Sequence, residues 1–140
     1  MKTYKIFTMG KVDVAYNSSS GWRKQVQVLI TAKTSKPTIF VHPPLLYDSA
    51  GSHLEAINRI TNQLIDSDIV VLNREGLRDC IDAHIEIGIV NAINRVTPKH
   101  IDVVAFGGGD IWSQWLDDSI LHFSDSIEDV ADYITSNLML

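Results

Sequence analysis

Short, uninterrupted apolar segments alternate with longer amphipathic ones along this chain, and that order restricts the fold more than any other feature. Residues 69–72, Ile-Val-Val-Leu, are apolar at every position, as in a strand covered on both faces. Residues 4–9, 38–41 and 102–106 read as further strands, and 119–123 offers a fifth. Between them apolar residues recur at helical spacing. Trp22, Val26, Leu29 and Ile30 form one face over 21–33. Leu54, Ile57, Ile60 and Leu64 do so over 52–64. Ile85, Ile89, Ala92 and Ile93, with Ile81 just before, do so over 82–94. Ser20 is a candidate N-cap for the first helix. In a closing helix over 126–138, Ser126 and Asp129 resemble a capping box with Asp in place of Glu. His42-Pro43-Pro44 must end the second strand, because consecutive prolines cannot pair in a sheet.

Strand–helix alternation implies parallel strands joined by right-handed crossovers, with helices on both faces. Five strands fit the order 2-1-3-4-5, so the expected architecture is α/β, a flavodoxin-like doubly wound sheet. No repeat or linker interrupts the chain, so residues 1–140 read as a single domain of ordinary size. The formal net charge of -5 disfavours a nucleic-acid polymer as partner but leaves single nucleotides open. The one cysteine, Cys80, excludes an intramolecular disulfide and fits a reducing, cytoplasmic compartment. Residues 1–10 lack the apolar core of a signal peptide, and no stretch approaches a membrane span.

In open parallel sheets ligands sit outside the carboxyl ends of the strands. The segments that follow the expected strands are 10–20, 42–51, 73–83 and 107–113, and polar and glycine residues concentrate there. Gly10 at the end of the first strand and Asn73 at the end of the third belong to this rim. Asn73 suits either a ribose hydroxyl or a turn. Asp82 and Glu86, four apart on one helix, share a face. Paired carboxylates suit glycosidic chemistry, one attacking or stabilising an oxocarbenium-like centre and the other handling a proton. Spacing alone favours ordinary capping and dipole chemistry over catalysis. Near a helix N-terminus the dipole is expected to hold Glu86 ionised.

The segments KIFTMGK, GWRKQV, FVHPPLLYD, IDSDIVVLN and DAHIEIGIVNA, in that order, resemble the nucleoside 2-deoxyribosyltransferase family and its nucleotide N-hydrolase relatives. SDIVVLN followed by EIG is the most specific part. The resemblance implies a flavodoxin-like fold and cleavage of the N-glycosidic bond of nucleosides. It implies that Glu86 attacks the anomeric carbon and that a second nucleobase resolves the covalent intermediate. Asp82 or Asp79 matches the family's assisting aspartate. Relatives form homo-oligomers in which a segment before the last helix reaches a neighbouring subunit's site; here that points to Asp118 and Ser119. The chain departs from the pattern at Phe7, where a tyrosine is usual, and at Asp82-Ala83. It also lacks an aspartate in the helix before the third strand, where Asn58 and Asn62 are the nearest polar residues.

Trp22 and Arg23 suit stacking on a base and holding a sugar or phosphate oxygen, or equally a core position and a structural ion pair. Ser18 to Ser20 suit phosphate, though a solvated cap is the simpler reading. Gly107-Gly108-Gly109 lacks P-loop spacing. Trp112 and Trp115 read as core or subunit interface. The histidines show no metal-ligand spacing, and no metal or organic cofactor is implied. Three readings follow. One is a deoxyribosyl transfer between nucleobases, on a small nucleoside and a free base. One is hydrolysis of a nucleoside or its 5'-monophosphate. One is a non-catalytic nucleotide-binding module.

Overall fold

The computed structural model describes residues 1–12, 21–108 and 114–140. Strands β1 (Tyr4–Met9), β2 (Thr38–Val41), β3 (Ile69–Asn73), β4 (Asp102–Phe106) and β5 (His122–Ser124) form one sheet in the order β2-β1-β3-β4-β5. Every pairing is parallel. The helices are α1 (Trp22–Lys33), α2 (Pro43–Ser49), α3 (His53–Ile65), α4 (Ile81–Val96), α5 (Gln114–Asp118) and α6 (Ile127–Tyr133). The expected flavodoxin-like order is the observed one.

Alternation along each strand divides the core in two. Phe7, Met9, Val70, Leu72, Val103 and Ala105 face α3 and α4. Tyr4, Ile6, Ile69, Val71, Val104 and Phe106 face α1 and α6. Each face is apolar, which accounts for the unbroken apolar strands of the sequence. Ser126 Oγ accepts from the Asp129 amide at 3.1 Å, as the capping-box pattern requires. Ser52 caps α3 in the same way, accepting from the Glu55 amide at 3.1 Å.

Several boundaries differ from expectation. The fifth strand is His122–Ser124, not 119–123, and follows the short helix α5. Residues 42–51 are mostly helical. With His42 as the capping residue, Pro43 and Pro44 occupy the first helical positions, where a missing N–H costs nothing. Helix α1 begins at Trp22 behind Gly21, and Ser20 lies outside the described residues. The closing helix changes at Ile134–Leu138 to a π-helical turn.

The largest difference concerns the faces of α4. Its sheet side is Ala83, Ile87 and Val90. Of the expected core stripe, Ile81, Ile85 and Ala92 point outward, and only Ile89 and Ile93 pack partly against the core. The helix is apolar on nearly all sides, so periodicity alone could not choose the buried face. On α3, likewise, Leu64 is buried whereas Leu54 and Ile57 are exposed.

Candidate active site

A cleft of ≈ 260 Å³ opens at the carboxyl ends of β1, β2 and β3, the edge at which such sheets place ligands. Its floor is Gly10 and Arg23. One wall is a face of α4 with Asp82, Ile85, Glu86 and Ile89, spaced i, i+3, i+4 and i+7. The other is built by Pro43, Pro44 and Tyr47 of α2 and by His53, Ile57, Ile60 and Thr61 of α3. The outward apolar residues of α3 and α4 are therefore in part cleft wall rather than core.

Arg23 is buried on the first turn of α1 and fixes the rim of β1. Its Nη2 donates to the Gly10 carbonyl at 2.9 Å and its Nη1 to the Lys11 carbonyl at 3.4 Å. Gly10 has φ +149, and a Cβ there would lie 3.0 Å from the Asn73 carbonyl oxygen. Only glycine allows β1 and β3 to end so close together. Behind Pro43, His42 is buried, with Nδ1 2.8 Å from Thr8 Oγ1 and Nε2 2.7 Å from Gln27 Oε1. In a neutral ring whose Nε2–H donates to Gln27, Nδ1 is an acceptor and shares the single Thr8 hydroxyl proton with the Val41 carbonyl, 3.2 Å from Oγ1. Burial, reinforced by the charges of Lys24 and Arg23, lowers the His42 pKa to about 4.

Glu86 is half-buried one turn beyond Asp82. Burial, and then the charge of Asp82, raise its pKa to about 8 against the opposing pull of Arg23. This reverses the expectation that the helix dipole holds the carboxyl ionised. Desolvation outweighs the dipole, whose reach ends with the first turn. At neutral pH the resting group is largely a carboxylic acid. Burial likewise pushes the Cys80 thiol up, so it is not an activated thiolate.

No protein-family model and no curated protein matches the sequence. The structure, however, resembles a solved 2-deoxyribosyltransferase from the psychrotolerant bacterium Bacillus psychrosaccharolyticus. The TM-score is 0.66 at 16% identity, over 92% of this chain and 91% of the other. The two chains share a fold. An azoreductase from Bacillus anthracis str. Sterne aligns less well, with a TM-score of 0.37 at 14% identity over 96% of this chain and 79% of that one.

Within this fold the cleft gathers Gly10, Arg23, Asp82 and Glu86 from the sequence-derived candidates. The others lie elsewhere. Asp79 is exposed in the 3-10 turn Leu77–Asp79, outside the cleft lining, which leaves Asp82 as the aspartate beside Glu86. Trp22 is core: it packs edge to face on Phe106 at 5.5 Å between centroids. The Asn73 side chain makes the turn, with Oδ1 accepting from the Glu75 amide at 3.0 Å. Asp118 and Ser119 border a separate depression at the amino ends of β4 and β5, where Ser119 Oγ donates to Asn91 Oδ1 at 2.6 Å. Within one chain they do not meet Glu86.

Phe7 is wholly buried, so β1 brings no phenol to the site. Asn58 and Asn62 are exposed and outside the cleft. Thr61 is the α3 hydroxyl that reaches it, together with Tyr47 and His53, which sequence reasoning passed over. The signal for Thr61 was its spacing of eight from His53 and four from Ile57. Ser18 to Ser20, Gly109 and Trp112, and the side chain of Trp115, lie outside the described residues. Among the described residues no cluster of potential metal ligands occurs, and no helix is long and apolar enough to cross a membrane.

Proposed function

We propose that this chain cleaves the N-glycosidic bond of a 2'-deoxynucleoside and transfers the sugar to a second nucleobase, with Glu86 as nucleophile. The observation that carries this reading is the position of Glu86. It is a desolvated carboxyl one turn from Asp82, in a cleft sized for one small ligand, at the rim where this fold binds ligands. The apolar walls suit the flat ring of a base.

In the first step an ionised Glu86 oxygen attacks C1' of the sugar. The C1'–N bond breaks, and its electron pair leaves with the base, which takes up a proton. That proton comes from solvent, and Asp82, the near carboxylate, is placed to relay it. In the second step a ring nitrogen of the incoming base attacks C1', its N–H proton returns to solvent by way of Asp82, and Glu86 departs with its pair. Two displacements retain the configuration at C1'. Arg23 offsets part of the charge that Glu86 gains on ionisation. The test is to incubate a 2'-deoxynucleoside with and without a second free base. Transfer gives the new nucleoside only when the second base is present. Free sugar without it would instead make water the acceptor, a hydrolase, and no reaction over hours would leave a binding module.

We also propose that the working unit is a homo-oligomer. Ile81 (73% exposed), Ile85 (60%) and Val96 (80%) lie with Gly88 and Ala92 on one stripe of α4. Such a stripe is longer than scattered surface apolar residues. A Cβ on Gly88 would meet nothing within 4 Å, so the helix centre is open to close approach. An antiparallel pair of α4 helices about a two-fold axis sets Ile85 against Ala92, large against small, and Ile81 against Val96, both apolar.

A further inference from the structure

The α2–α3 wall of the cleft carries a polar pair for which the glycosidic chemistry has no role. Tyr47, near the end of α2, and His53, first residue of α3, both line the cleft. The Tyr47 hydroxyl is hydrogen-bonded to His53 Nδ1, with Nε2 at 3.2 Å. The two rings meet edge to face, with centroids 5.3 Å apart and planes at 72°. The contact spans the short turn between the helices, which Ser52 and Glu55 fix with their own hydrogen bonds. A phenol held in this way has lost much of its rotamer freedom before any ligand arrives.

The rest of the cleft is divided by chemistry. Asp82 and Glu86 stand on α4, and Pro43, Pro44, Ile57, Ile60, Ile85 and Ile89 supply apolar surface. A flat heteroaromatic ring gains from those walls, but its polar edge needs a donor or acceptor within the same cleft. Tyrosine offers both.

We infer that Tyr47, held by His53, is the specificity-determining contact for the nucleobase, meeting the polar edge of a ring that lies between the apolar walls. The inference takes its choice of ligand from the nucleoside reading above. A hydroxyl fixed in place discriminates between bases more sharply than apolar surface does, because a mismatched edge leaves both partners without a hydrogen bond.

The test is calorimetric titration of the full chain with adenine and, separately, with thymine. It compares wild type with Tyr47→Phe and His53→Gln, and a melting curve is recorded for each. Tyr47→Phe is expected to weaken the better-bound base about tenfold and to narrow the difference between the two bases. His53→Gln, which keeps a partner for the phenol, is expected to weaken it less. Melting temperatures are expected to stay within about 2 °C of wild type, because both side chains reach solvent. Wild-type affinities and selectivity in Tyr47→Phe would overturn the inference, as would failure of the wild type to bind either base. Base binding that depends on Tyr47 in a protein without exchange activity would uphold the inference while refuting the transferase reading, so the two fail separately.

Discussion

Asp82 stands one helical turn before Glu86 on the cleft face of α4, and its charge adds to burial in raising the Glu86 carboxyl to about 8. The group proposed to attack the sugar is therefore mostly protonated at neutral pH, and its reactive form must be gained by titration.

The rate of base exchange is accordingly expected to rise with pH and level off above about 8, following ionisation of Glu86. Asp82→Asn removes the like charge and should move this limb to lower pH. Arg23→Met removes the opposing cation and should move it to higher pH. The check is kcat/KM against pH for the three proteins. Limbs that coincide would contradict the electrostatic account.

Burial of Glu86 also makes stability depend on pH. The folded-state pKa is raised above that of the unfolded chain, so the folded state binds the extra proton. Its contribution is fully present below about 4.5 and is lost as pH rises through about 8. Glu86→Gln should therefore gain stability relative to wild type at pH 9 compared with pH 5. Thermal melts at the two values measure it, and an unchanged difference would contradict it.

His42 acts in the opposite sense. Its folded pKa is lowered from 6.5 to about 4, so the unfolded chain binds the proton more readily and stability falls as pH drops through that window. His42→Gln should flatten this loss. It should also cost about 1–3 kcal/mol at pH 7, because Thr8 and Gln27 lose a buried partner. Denaturant unfolding at pH 4.5 and 7 separates the two effects.

The strands were legible in the sequence because each core strand is covered on both faces, so continuous apolar runs marked β3 and β4 directly and the mostly apolar residues 4–9 marked β1. The faces of α4 were not. Ile85 and Ile89 look as fit for a core as Ile87 and Val90, and only tertiary packing decides which pair meets the sheet. Helix α2 is hidden because a Pro-Pro pair ends a strand and opens a helix equally well. Of the residues that line the cleft, Gly10, Asp82 and Glu86 are suggested by the strand-end segments and Arg23 by its place at the start of α1. Thr61 and His53 come from a helix packed beside that rim, and Tyr47 lies in the rim segment 42–51 on a helix that the prolines concealed. The ionisation of Glu86 was misjudged because burial cannot be read from spacing.

The exposed stripe of α4 gives a further expectation. If two copies meet there, the wild type should run at twice the 15.6 kDa chain mass in light scattering. Ile85→Lys together with Val96→Glu should then return it to the single mass without unfolding, since both positions are exposed. A wild type of single-chain mass would contradict the expectation.

The most direct measurement is exchange itself. A 2'-deoxynucleoside and a second free base are incubated with wild type and with Glu86→Gln, and the new nucleoside is followed by chromatography. The account expects exchange in wild type and a loss on the order of 10³-fold or more in the variant, with the variant still folded by its melting curve. Undiminished exchange in folded Glu86→Gln would contradict the account.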